Sequence, residues 1–176
     1  PLREALAASA SPAVGLHGMV VSAERHATAA GVELLRAGGN AVDAAVAVAF
    51  ALGVTEPYHS GVGGGGFLLA HLANGEVIAL DMRETAPALA TADMFVRDGV
   101  ASDASRLGPL AVATPGLAVG LAEALARWGT KPLDEVLAPA IRLADEGFPI
   151  GARHARMLQL LRDMKFEARF PETTRI

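Results

Sequence analysis

The chain of 176 residues contains no cysteine. Disulfides, thiolate metal sites and a cysteine nucleophile are therefore excluded. The absence does not decide a compartment, because a disulfide-free protein is at home in the cytosol or the periplasm. Aromatic residues are scarce, at 5%, so there is no platform for stacking bases. The net charge is −4 and the basic residues are scattered, which argues against nucleic acid as a partner. The longest uncharged apolar segment, residues 44–54, falls short of the ~20 residues that a membrane span needs. Residues 1–12 lack a basic start followed by an apolar core, so no signal peptide is expected in them.

The composition itself, 52% hydrophobic and rich in alanine, is that of a globular chain long enough to bury a core. Residues 1–17 read as a loose lead-in and residues 18–176 as a single domain. Residues 18–22 (Gly-Met-Val-Val-Ser) predict a short buried strand. Ser22 then stands where a helix N-cap belongs, before a helix over about 23–37 that Gly38-Gly39 stops. Asn40 caps a second helix over about 41–52, with Asp43 in its first turn, where a negative charge suits the helix dipole. From Ala44 onward this helix is apolar all round, so it should be buried on most sides.

Two apolar runs flank Ala73-Asn74-Gly75, a strong signal for a hairpin. Both faces of its strands are apolar, which predicts a sheet covered on both sides. Residues 84–110 read as an irregular connection with a short helix near 91–95. Thr114-Pro115-Gly116 predicts a helix start, with Thr114 as the cap and Pro115 at the first position. That helix should end at Gly129. Further helices are expected over 133–146, with Pro139 kinking or dividing it, and over 152–164, with Met157, Leu160, Leu161 and Met164 on one stripe. Two or three strands cannot make a sheet that buries this much apolar surface. Strands are missing, and the chain reads as part of something larger.

The stretch most unlike ordinary scaffold is residues 56–67, where five of twelve residues are glycine. A phosphate cradle fails on detail, because no Lys-Ser or Lys-Thr follows Gly66 and the loop leads into a strand. Close packing on the buried helix is the favoured reading, and a wall of an active site the alternative. Arg83, between Asp81 and Glu84 at a strand exit, has two compatible readings. Its guanidinium could grip a carboxylate with two prongs, or form an internal ion pair with Asp81 or Glu84. In a regular strand Asp81 and Arg83 would share a face. His17, His26, His59, His71 and His154 show no metal-ligand spacing. His59-Ser60 are neighbours whose tips rarely meet, and no Gly-x-Ser-x-Gly elbow exists. Residue chemistry alone therefore supplies no nucleophile, no metal set and no cofactor.

Four motifs nevertheless resemble those of the gamma-glutamyltransferases (gamma-glutamyltranspeptidases, glutathione hydrolases). They are Gly38-Gly39-Asn40-Ala41-Val42-Asp43-Ala44-Ala45-Val46-Ala47, Ser60-Gly61-Val62-Gly63-Gly64-Gly65-Gly66-Phe67, Asp81-Met82-Arg83-Glu84-Thr85-Ala86-Pro87, and Thr114-Pro115-Gly116 with the later Pro132…Ala138-Pro139-Ala140…Leu143-Ala144…Gly147-Phe148 pattern. The resemblance runs from about residue 18 to the end and matches the N-terminal part of the family's large subunit. It implies an α+β chain, part of an αββα sandwich of the N-terminal nucleophile hydrolases. That fold is incomplete without the rest of the large subunit and the small subunit. It further implies autocatalytic processing of a precursor. The nucleophile is a threonine newly exposed at the start of the small subunit, activated by its own terminal amine. On this resemblance no residue of the present chain is catalytic. Arg83 is implied to bind the α-carboxylate of the γ-glutamyl group of glutathione or a relative, with Glu84 as a supporting orienter. No cofactor is expected. A periplasmic or secreted location is implied, with the cytoplasm as the alternative. The enzyme alternative is a cephalosporin or glutaryl acylase of the same fold; the non-enzyme alternative is an anion-binding module.

Overall fold

The computed structural model describes residues 13–165, 168 and 170–175. Most of the expected lead-in lies outside these residues. Helix α1 spans Arg25–Arg36 and α2 spans Ala41–Thr55. Strands β1 (Phe67–His71) and β2 (Val77–Asp81) form an antiparallel hairpin in which Phe67 faces Asp81 and His71 faces Val77. A long connection holding one 3-10 turn, Pro109–Ala111, leads to α3 (Leu117–Trp128), α4 (Leu133–Glu146), α5 (Ala152–Asp163) and the short α6 (Pro171–Arg175).

The apolar helix α2 is the hub. Val42, Val46 and Ala47 join Leu34, Met82, Leu121, Ala124, Leu125 and Val136 in one core cluster. Ala51 joins Ala27, Ala30 and Ala140 in a second. The alanines bring α1 and α4 close to α2. Pro139 lies buried inside a continuous α4. The hydrogen bond it cannot donate costs the helix one rung, and its ring shares the buried face of Val136 and Ala140.

Several expectations are corrected. Residues 18–22 form no strand; Met19 and Val21 are 54% and 82% exposed. An extended segment with no pairing partner gains no ladder. The cap of α1 is Glu24, whose carboxylate accepts N–H bonds from His26 and Ala27; Ser22 instead donates to the Glu24 carbonyl. No helix forms near 91–95, where successive turns run. The hairpin is covered on one face only. Ile78 is buried and Leu68 and Leu80 pack on the core, whereas Phe67, Leu69 and Val77 on the other face are 72%, 77% and 64% exposed. The stripe on α5 forms at helical spacing but stays open, with no buried residue in that helix. No described helix is long and apolar enough to cross a membrane.

One carboxylate ties the start of α2 to the α3–α4 junction. The Asn40 side chain accepts the N–H groups of Val42 and Asp43, and Asp43 Oδ2 accepts the Asn40 N–H at 2.6 Å, completing a capping box. The fully buried Asp43 then reaches across the chain. It accepts the Thr130 N–H at 2.8 Å, the Lys131 N–H at 3.1 Å and the Thr130 hydroxyl at 2.6 Å. Asn40 Nδ2 donates to the Trp128 carbonyl. Burial pushes the Asp43 pKa up, but the bonds from Thr130, Asn40 and Lys131 outweigh it and hold the group below the usual aspartate value.

Replacing this carboxylate orphans three backbone donors in a partly buried place. Asp43→Ala should cost about 3 kcal/mol in urea denaturation. Because the folded pKa is lowered, the stabilisation is present above about pH 3.9 and is lost as pH falls through the folded value. The gap between wild type and variant should therefore close in acid. A gap that stays constant down to about pH 2 would contradict this account.

Candidate functional site

At the end of β2 the Asp81 carboxylate accepts the Arg83 backbone N–H at 2.9 Å. Asp81 thus engages the backbone of Arg83 rather than its guanidinium. Met82 still pairs with the glycine loop: its N–H donates to the Gly66 carbonyl and its carbonyl accepts the Gly66 N–H. Thr85 pairs with Thr114 in both directions. Arg83 and Glu84 lie between these two pairings.

The glycines explain how backbone can lie so close on both sides. A Cβ on Gly65 would stand 2.6 Å from the Met82 carbonyl oxygen, 2.8 Å from the Glu84 nitrogen and 2.6 Å from Glu84 Oε2. A Cβ on Gly116 would overlap the Met82 carbonyl and approach the Arg83 carbonyl at 2.8 Å. Any side chain there would force backbone apart. The Gly64 carbonyl accepts the N–H groups of Gly116 and Leu117 at 3.2 and 3.0 Å. Those first donors of α3 are thus spent within the chain, not on an anion. This supports the packing reading of the loop. It also corrects the start of α3: the N-cap is Gly116, because Thr114 is engaged in pairing with Thr85 and only glycine fits against Met82.

The Arg83 side chain is 57% exposed. Its Nε lies 3.4 Å from Glu84 Oε2. Among the described residues the two terminal guanidinium nitrogens form no hydrogen bond or ion pair. Glu84 is more sheltered, at 24% exposed, and its buried Oε2 accepts no hydrogen bond from a described residue. The ion pair is the internal contact considered for Arg83. At such exposure it contributes only about 0.5–1 kcal/mol. A carboxylate meeting the free edge of the guanidinium would make two charge-assisted bonds, stronger the more water the bound group excludes. The Glu84 contact on Nε leaves the terminal edge of the guanidinium open.

The histidines are placed elsewhere. His26 packs on Phe148, which also meets His154; His154 meets Tyr58, and Tyr58 meets His59 edge-on. His154 Nδ1 lies 3.2 Å from the Thr55 carbonyl. Beside it, the buried Glu56 takes Arg153 at 3.6 Å and the Tyr58 hydroxyl at 3.3 Å. This cluster pins the first turn of α5 to the end of α2. His59 and Ser60 turn their backbone N–H groups to the Glu56 carbonyl and make no hydroxyl–imidazole pair among the described residues. His71 is exposed at the end of β1. No group of metal-binding side chains occurs among the described residues.

Sequence reasoning missed the long reach of Asp43 to Thr130 and the contact of Met82 with α3. The Asn-x-x-Asp spacing at 40–43 signals the capping box, but nothing local signals its second partner.

The family model described as Gamma-glutamyltranspeptidase matches residues 27–176. The chain is 47% identical over 154 residues to a glutathione hydrolase proenzyme of Pseudomonas sp. (strain A14), covering 86% of this chain and 27% of that protein. It is 48% identical over 147 residues to an acylase ACY 1 proenzyme of Pseudomonas sp. (strain V22), covering 79% of this chain and 26% of that one. The crystal structure of Helicobacter pylori gamma-glutamyltranspeptidase superimposes with a TM-score of 0.82 at 42% identity. That match covers 87% of this chain and 44% of the solved one. The present chain thus spans about a quarter of the length of the curated relatives it matches. Its α+β arrangement is part of the sandwich of the N-terminal nucleophile hydrolases. On sequence and on fold, the chain belongs to the gamma-glutamyltranspeptidase family.

Proposed function

We propose that this chain is the N-terminal part of the large subunit of a γ-glutamyl transferase/hydrolase, and that Arg83 holds the α-carboxylate of the γ-glutamyl group. The observation that carries the reading is an exposed guanidinium, fixed at its base by two backbone pairings, whose terminal nitrogens are free among the described residues. Glu84 sits against Nε and orients the fork without occupying it. The acyl group itself is transferred by a threonine hydroxyl at the start of a separate small subunit, with its own terminal amine as base. Arg83 contributes by fixing where the scissile amide lies relative to that hydroxyl.

An acyl specificity of the cephalosporin or glutaryl type is the second reading, because the acylase relative is as similar as the glutathione hydrolases. A glutaryl group and a γ-glutamyl group both end in a carboxylate and differ by the α-ammonium. Arg83 can serve either, so turnover of the two acyl groups by the complete enzyme decides between them. Higher kcat/KM for γ-glutamyl-p-nitroanilide than for the glutaryl amide is the expected result.

Two measurements test the main reading. Arg83→Ala in the complete enzyme should lower kcat/KM for γ-glutamyl-p-nitroanilide about 30- to 1,000-fold, mostly through KM, from the loss of ~2–4 kcal/mol of carboxylate binding. Unchanged kinetics would remove Arg83 from the site. N-terminal sequencing of the purified material should find a companion polypeptide that begins with threonine. If the gene product yields no such chain, the enzyme reading fails and an anion-binding module takes its place.

A further inference from the structure

The strand exit that carries Arg83 is held from the side by α3, through a contact that the carboxylate-binding role does not itself require. Met82 is 5% exposed and belongs to the main core cluster. Its backbone is enclosed by Gly65 from the glycine loop and Gly116 from the start of α3. Its side chain lies against Gly120, one turn further along α3. A Cβ on Gly120 would overlap Met82 Cγ and stand 2.8 Å from Met82 Cβ. Gly120 is within the helix, where glycine is about 1 kcal/mol less favourable than alanine. Helix propensity therefore gives no reason for glycine there; the space occupied by Met82 does.

We propose that Gly120 is a positioning residue: the bare face of α3 at Gly116 and Gly120 seats Met82, and thereby sets the place and direction of the Arg83 guanidinium. The inference rests on the proposed role of Arg83. Met82 is the residue directly before Arg83, and its carbonyl is the one that Gly66, Gly65 and Gly116 surround. A shift of Met82 is passed to Arg83 through one peptide plane. The Thr85–Thr114 pairing beyond Glu84 limits where that shift can be absorbed. A displacement on the order of 1 Å at a substrate-orienting group can cost up to about 100-fold in kcat/KM.

The test uses the complete, processed enzyme with γ-glutamyl-p-nitroanilide as the probe. Gly120→Ala should raise KM about tenfold or more while kcat changes less than about threefold, with cleavage into subunits intact; overpacking against Met82 also lowers Tm, so the split between KM and kcat is the deciding readout. Met82→Ala removes Cγ and Sδ, the atoms nearest the new methyl group, and leaves Cβ at 2.8 Å from it. The double variant Gly120→Ala/Met82→Ala should therefore reverse part of the KM increase of Gly120→Ala alone. A merely structural role predicts kcat and KM moving together and no recovery. Unchanged KM in Gly120→Ala, or no recovery in the double variant, would overturn the proposal. If Gly120→Ala fails to fold, Met82→Ala alone decides: a raised KM at near-normal kcat supports the seat, and wild-type KM overturns it. A wild-type enzyme that does not turn over the probe would instead remove the function reading on which the inference stands.

Discussion

The architecture depends on a buried carboxylate placed at the head of an apolar helix. α2 from Ala44 onward has almost no polar side chain with which to choose a register or an orientation. Asp43 supplies both. It closes the capping box with Asn40 and accepts three bonds from Thr130 and Lys131. The start of α2 is thereby fixed to the junction where α3 ends and α4 begins. A charge in such a place is costly unless nearly every lone pair is used. Here the donors are mostly backbone N–H groups, which cannot swing away to solvent.

From that knot, α3 has a defined position, and its N-terminal turn lies on the Met82–Glu84 backbone. The seam between them is built from absent side chains. Gly65 and Gly116 let three backbone segments approach within a distance that any Cβ would prevent. The carbonyl of Gly64 uses up the first amides of α3. The glycine loop therefore owes its composition to packing. It also fixes the backbone from which Arg83 extends.

The surfaces that remain open have a common physical reading. The outer face of the hairpin presents Phe67, Leu69 and Val77, and α5 with its cap presents Leu160, Leu161 and Met164, all substantially exposed. Residues 18–22 form no strand. These open faces accord with a chain that spans only part of its relatives' length.

Local pattern was enough for much of this. Asn40 before an apolar run, Asn74-Gly75 between two apolar runs, and Gly129 and Gly147 after periodic segments placed the hairpin and most helix ends, because caps and turns are decided by a few neighbouring residues. The same locality explains the misses. Ser22 and Thr114 are good caps by type, but Glu24 and Gly116 took those positions once Ser22 and Thr114 had other partners. The strand expected at 18–22 and the second cover expected on the hairpin required partners that the described residues do not supply. Arg83 and the family motifs were legible as chemistry and order in the chain. Residue pattern thus sufficed for most element types and for the glycine-rich seam. Only packing in three dimensions brought Asp43 to Thr130, 87 residues away, and seated Met82 on Gly120. Such contacts are set by which surfaces meet after the helices pack, and no local spacing encodes that meeting.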